Sequence, residues 1–300
     1  MNFSTKLFLP ILKKEIRIEP ICNRYYFNLI KYITNDDEEG IKDYLEYIIS
    51  QIVVDKDIIN DLSNLEKFLI LISSKSFSSG NKIQISGENQ VKTDILISSI
   101  IKNILTNIEN YDFNNTIIID NIQINLNLPK KIKLKDEEDI YKEIINEIKI
   151  DEESIKFFLL TDFEKNAIIN SIPISLNNYI LQYIKKIQET LDKIVILFGG
   201  EKRGFADLKL NVFDNSLFYF LKSLFNDDLK NFYELQFILI NKISFTYDHF
   251  LSLTPNDCKI FINLYNEDIK KQQEEQKSSN ASMPSLPSMP RMPSMPSIPK

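Results

Sequence analysis

Side chains able to do chemistry are sparse in this chain of 300 residues, and their spacing does not build a reaction centre. His249 is the only histidine, so an imidazole base could act only there, and no Gly-x-Ser-x-Gly turn supplies a nucleophile for it. A lone histidine of this kind reads as a group capping or lining a helix junction. The most suggestive motif is Gly199-Gly200-Glu201-Lys202-Arg203-Gly204, which follows the apolar run 194–198. A phosphate-binding loop needs Lys and then Ser or Thr after its last glycine, because the ammonium grips the phosphates and the hydroxyl holds magnesium. Phe205 and Ala206 stand at those places, so the segment reads as a helix stop and an exposed turn. One histidine and the distant Cys22 and Cys258 do not make a four-ligand zinc site. The acidic runs 136–139 and 151–153 lack the alternating oxygens, central glycine and terminal glutamate of a calcium loop, and read as solvated partners of helix dipoles. The expectation is therefore no catalytic residue, no cofactor, no metal and no enzyme. An enzyme reading would need a pocket that gathers Asp207, Lys202 and Arg203 near His249.

The pattern with a chemical message lies at the C-terminal end. Pro284, Pro287, Pro290, Pro293, Pro296 and Pro299 recur at every third position. Polyproline II has three residues per turn, so this period places all of them along one ridge. A second ridge is apolar throughout: Met283, Leu286, Met289, Met292, Met295 and Ile298. The third is polar, with Ser285, Ser288, Arg291, Ser294, Ser297 and Lys300. Methionine adapts to irregular apolar grooves, and prepaid chain stiffness lowers the entropy lost on docking. The strip reads as a protein-docking segment centred on Met289, Pro290, Met292, Pro293 and Met295, since strip ends fray first. A Pro/Ser spacer that binds nothing is the competing reading, but a spacer has no reason to keep every pre-proline position apolar.

What must carry this strip is an α+β body, predominantly helical, with small antiparallel β elements packed against helices and a disordered or polyproline C-terminal tail. Alternation predicts an N-terminal hairpin from strands over 6–12 and 15–21, and a β ribbon over 116–128 that turns at Asp120-Asn121. A further strand is expected over 82–86, and another over 208–213. Helical spacing predicts helices over 23–33 with Asn23 as N-cap, about 38–54, 63–74, 95–108, 136–148, 163–170, 176–198, 216–225, 229–244 and 256–277. The dense run 68–72 marks a helix buried on most sides, and Gly80 ends that unit. Thr254-Pro255 opens the last helix, with Thr at the N-cap and Pro at the first helical position. Its polar end, 270–277, is expected to project and carry the tail outward. The domain reading is 1–129 as an N-terminal α+β domain, 130–277 as a mainly helical domain and 278–300 as the Pro/Met/Ser-rich tail.

Net charge is −6 and the basic residues are scattered, so the electrostatic footprint of a nucleic-acid binder is missing. The first apolar stretch is short and broken by Pro10, which argues against a secretory segment or a membrane span. Two widely separated cysteines fit free thiols in a reducing compartment. The Ile, Asn and Lys enrichment reads as an AT-rich genome.

Several stretches together are similar to the baseplate hub assembly proteins of T-even-type contractile bacteriophage tails. They are Glu15-Ile-Arg-Ile-Glu-Pro-Ile-Cys-Asn-Arg-Tyr-Tyr-Phe, Leu65-Glu-Lys-Phe-Leu-Ile-Leu-Ile and Ile122-Gln-Ile-Asn-Leu-Asn-Leu-Pro129. Later come Ser216-Leu-Phe-Tyr-Phe-Leu-Lys-Ser-Leu-Phe, Phe232-Tyr-Glu-Leu and Leu253-Thr-Pro-Asn-Asp-Cys. The resemblance implies a non-enzymatic protein that helps build the central hub of the baseplate, as a component or an assembly chaperone. Its partners would be other hub or tail proteins, and its place the host cytoplasm and the virion tail. The Pro/Met tail departs from that family's shorter members. The alternative from another class is a cellular adaptor that offers its P-x-x-P repeat to a proline-recognition domain.

Overall fold

The computed structural model describes residues 3–86, 92–109, 111–134, 137–151, 153–200, 206–226 and 229–281. The chain divides into two compact units, Met1–Cys258 and Lys259–Lys300.

The first unit opens on an antiparallel hairpin, β1 (Thr5–Leu9) and β2 (Lys14–Ile18), that buries Leu7, Leu9, Ile16 and Ile18 on one face. Lys13 takes a positive φ of 49° to close the turn. Helix α1 (Asn23–Thr34) follows, and then α2 (Glu38–Ile52), whose N-cap Asp37 accepts a hydrogen bond from the Gly40 amide. Glu38 and Glu39 fill the first turn of α2, where the helix dipole favours negative charge. The acidic turn is also clamped from far along the chain: Lys133 pairs with Glu38 and Glu39, and Lys222 with Asp36 and Glu38. Lysine ammonium groups hold the Asp36 and Glu39 carboxyls below the usual carboxylate range: Lys222 acts on Asp36, and on Glu39 first Lys42, its neighbour on α2, and then Lys133.

Helix α3 (Asn64–Ser79) is the axis of the unit. Phe68, Leu69, Ile70, Leu71 and Ile72 are all buried, so the helix has no solvent face along this run. A helix buried all round needs partners on every side, and α1, α2, β1 and later helices supply them. Ser63 and Glu66 close its N-terminus as a capping box. The fully buried Glu66 carboxylate does more than cap. Its Oε1 accepts the amide hydrogens of Ile11 (3.1 Å) and Leu12 (2.8 Å) in the β1–β2 turn, while Oε2 accepts from the Ser63 amide (3.1 Å) and Ser63 Oγ (3.0 Å). One side chain thus ties the hairpin to the central helix. At the other end Gly80, with φ 99°, stops the helix in a conformation that other residues avoid.

Strands β3 (Lys82–Ser86) and β4 (Lys92–Leu96) form a second hairpin that leads into α4 (Ile97–Ile108), which buries Ile97, Ile100, Ile104 and Ile108. Next come β5 (Asn115–Ile119) and β6 (Ile122–Leu126), with Asp120 at φ 52° in their turn. Helix α5 (Glu137–Ile144) then stops, and β7 (Ile145–Ile150) and β8 (Glu153–Lys156) complete an antiparallel sheet in the order β5-β6-β7-β8. The helix expected over 136–148 is therefore half helix and half strand. Pairing sets Ile148 opposite Ile124 and, across a bulge, Ile145 opposite Leu126; these four side chains are buried while Glu147 and Lys149 are half-exposed. The outer face is a polar ladder. Thr116 Oγ1 donates to Asn125 Oδ1 (2.9 Å) and Asn125 Nδ2 to Glu147 Oε2 (2.7 Å), and Ser154 Oγ also donates to Glu147.

Helices α6 (Asp162–Ser171) and α7 (Ile174–Leu191) follow. The helix expected over 176–198 ends at Leu191, because the β-branched run beyond it becomes β9 (Val195–Leu197), paired with β10 (Leu208–Lys209). Helices α8 (Ser216–Leu224), α9 (Leu229–Asn241) and α10 (Tyr247–Ser252) complete the fold, and α11 (Pro255–Ala281) starts within the unit. Asn64 Nδ2 donates to the Val212 carbonyl (2.7 Å), and the Leu134 backbone exchanges hydrogen bonds with the Asn215 side chain. The architecture is α+β and mostly helical, with small antiparallel sheets and no closed sheet among the described residues.

Asn23 is not the N-cap of α1; Cys22 holds that position without a side-chain bond. Asn23 is instead buried, and its amide donates to the Phe250 carbonyl (3.0 Å) and to Cys258 Sγ (3.0 Å). Thr254 caps α11 as expected, with Thr254 Oγ1 donating to Asp257 Oδ2 and accepting from the Asp257 amide. In the second unit the described residues continue α11 to Ala281, and none of residues 259–275 is buried.

Glu66→Leu keeps an apolar volume but orphans three buried amide donors, and is expected to cost about 3 kcal/mol or more in urea unfolding. Burial holds the Glu66 carboxyl above its usual range, so the fold binds that proton more tightly than the unfolded chain does. Its contribution is therefore greatest below the ordinary carboxyl range and declines as pH rises, and the gap to the variant should narrow from acid to neutral pH. A variant as stable as the parent would show that relief of the buried charge outweighs the lost bonds.

Candidate docking surface

Of the groups singled out for chemistry, the described ones make local contacts. His249 lies in the first turn of α10; its amide donates to the N-cap Thr246 Oγ1 (3.2 Å) and its ring stacks on Phe245, with centroids 4.5 Å apart. The Gly199 amide donates to Asp207 Oδ1 (2.7 Å), which folds the glycine turn back on itself, and Gly200 takes φ 116°. Lys202 and Arg203 lie outside the described residues. Both cysteines are free, and burial pushes the Cys258 thiol up to about 11, well away from a reactive thiolate. Among the described residues, no group of three or more His, Cys, Asp or Glu side chains is placed to hold a metal ion. No described helix is long and apolar enough to cross a membrane.

The residues of the proline strip, Met283, Pro284, Leu286, Pro287, Met289, Pro290, Met292, Pro293, Met295, Pro296 and Ile298, all lie outside the described residues. What the described residues add is apolar surface that the sequence patterns did not reveal. Helix α6 buries no residue at all, although its capping box, Thr161 with Glu164, is complete. Phe163 on it is 83% exposed; Leu159 just before it and Ile174 just after are 72% and 81% exposed. A ten-residue helix gains little stability without packing of an apolar face; this one half-buries Ile168 and Ile169 and leaves Phe163 facing solvent. Helix α9 divides its apolar residues between two faces. Phe232 and Leu239 are buried, with Phe232 stacked on Phe27 at 5.0 Å and set edge-on to Phe250 at 5.4 Å. Leu229, Tyr233, Phe237 and Ile240 form a second stripe at helical spacing, along which Tyr233 is 48% and Phe237 57% exposed. The sequence hid these faces because apolar residues on both sides of a helix read as burial on both sides.

The described residues show solvent-facing aromatic and aliphatic side chains on α6 and α9. Exposed apolar stripes of this kind mark proteins that work by contact with other proteins. The chain belongs to a bacteriophage tail family: the model of the T4 bacteriophage base plate protein family matches residues 1–196, which run from before β1 into β9. No curated protein and no solved structure matches the chain. Membership places it among the proteins of a contractile-tail baseplate and implies protein partners there. Beyond residue 196 the chain adds α8 to α11 and the strip.

Two measurements check this surface. Phe163→Ser and Ile174→Ser should each leave unfolding free energy within about 0.5 kcal/mol of the parent, as for exposed positions, while lowering the binding of a hydrophobic dye; a loss above about 2 kcal/mol would put these side chains in a core. Under native conditions, Cys22 should react with a thiol reagent and Cys258 should react only on unfolding.

Proposed function

We propose that this protein takes part, without catalysis of its own, in assembling the central hub of the baseplate, and that its C-terminal strip docks a protein partner during that assembly. The observation that carries the reading is the family match over residues 1–196, joined to the regular apolar ridge from Met283 to Ile298. Three things support it. The His249 ring is stacked on Phe245, and Asp207 accepts the Gly199 amide in a turn contact. The exposed stripes on α6 and α9 offer contact area on rigid elements. An extended segment of restricted entropy loses little on ordering, which suits capture of a partner by a tethered tail.

The place of action is the host cytoplasm while baseplates are being built, with carriage into the finished tail if the protein stays bound. The family match weighs against a cellular adaptor that serves a proline-recognition domain, a reading that rests on the P-x-x-P repeat alone.

Removal of residues 278–300 should leave the urea midpoint unchanged and reduce retention of baseplate partners from infected-cell lysate at least tenfold. Undiminished retention by the shortened chain would remove the strip from the account.

A further inference from the structure

Both the exposed α9 stripe and the proline strip lie beyond residue 196, outside the stretch that the family model matches. Resting on the docking reading of the strip, we infer that the α9 stripe of one copy receives the Met289–Met295 segment of a second copy, so that the protein self-associates through its own C-terminal addition.

Chemistry and size favour this occupant. Proline-rich segments of P-x-x-P spacing are read by aromatic-lined grooves, and Tyr233 and Phe237 sit one helical turn apart on an otherwise aliphatic stripe. The backbone beneath them is firm, because Phe232 on the opposite face is stacked on Phe27 and set against Phe250. Tyr233 is itself held edge-on to Phe27 at 5.4 Å. The stripe runs the length of α9, about 18 Å at 1.5 Å per residue. In the extended form its sequence favours, the segment from Met289 to Met295 spans about 19 Å at 3.1 Å per residue.

A second copy is the natural donor because each copy brings one stripe and one strip. Reciprocal exchange between two copies satisfies both and closes the assembly, which is the economical route to a dimer when a terminal element is swapped.

Sedimentation velocity of the full-length chain over a hundredfold concentration range tests this. The expected result is a reversible dimer, with self-association weakened at least tenfold both by Phe237→Glu and by the combined Met289→Ser, Met292→Ser and Met295→Ser substitution. The second variant leaves the helical body untouched, so it reads the contact even if the first disturbs folding. A dimer indifferent to both variants would overturn the inference. So would a chain that stays monomeric at every concentration. If that monomer lost baseplate partners on methionine substitution, the strip would dock a different protein, and the assembly role would stand without this contact. If the monomer changed amide exchange in α9 on the same substitution, the strip would occupy the groove of its own chain.

Discussion

The fold depends on a helix that cannot face water. Along Phe68 to Ile72, α3 is buried on every side, and each such side chain contributes roughly 1.5–3 kcal/mol only if neighbours cover it. The N-terminal hairpin, α1, α2, α4 and α8 are arranged to do so. Burial of this kind sets no register by itself, because one apolar surface slides on another. Register comes from the few polar groups inside: Glu66 against the turn of the hairpin, Asn64 on the Val212 carbonyl, and Asn23 on the Phe250 carbonyl and Cys258. Each joins elements distant in sequence.

With the interior closed in this way, the apolar residues left outside acquire meaning. Helix α6 is capped at its start yet buries nothing, and α9 spends one face on the core and shows the other to solvent. The four-stranded sheet behaves differently. Its outer face carries a hydrogen-bonded ladder from Thr116 to Ser154, with Ile118 exposed beside it. Contact surface is thus concentrated on helices, one within the family-matched stretch and one in the C-terminal addition. A baseplate protein, whose work is to hold or place other proteins, has use for both.

Much of this was legible in the residues. The hairpin at the start, the ribbon that turns at Asp120, the buried run of α3, the glycine stop at Gly80 and the Thr254 cap all follow from local pattern and lie where the pattern puts them. Errors arose where isoleucine carried the signal. In 145–150 and 195–197 the chain leaves a helix for a strand with no glycine or proline to announce it, and only strand pairing decides the outcome. Asn23 misled for another reason, since its side chain is claimed by a carbonyl more than two hundred residues away. The exposed stripes could not be read at all, because exposure is a property of what fails to pack against a helix. The regular apolar ridge of the C-terminal strip, by contrast, was visible only in the sequence.

The central claim is that this protein acts inside the baseplate assembly line, and quantitative mass spectrometry of baseplate intermediates and finished virions from infected cells tests it most directly. The account predicts that the protein co-fractionates with hub intermediates in a fixed ratio to the other hub proteins, whether or not it remains in the virion. Its absence from every baseplate intermediate and from the virion, while abundant elsewhere in the lysate, would contradict the account.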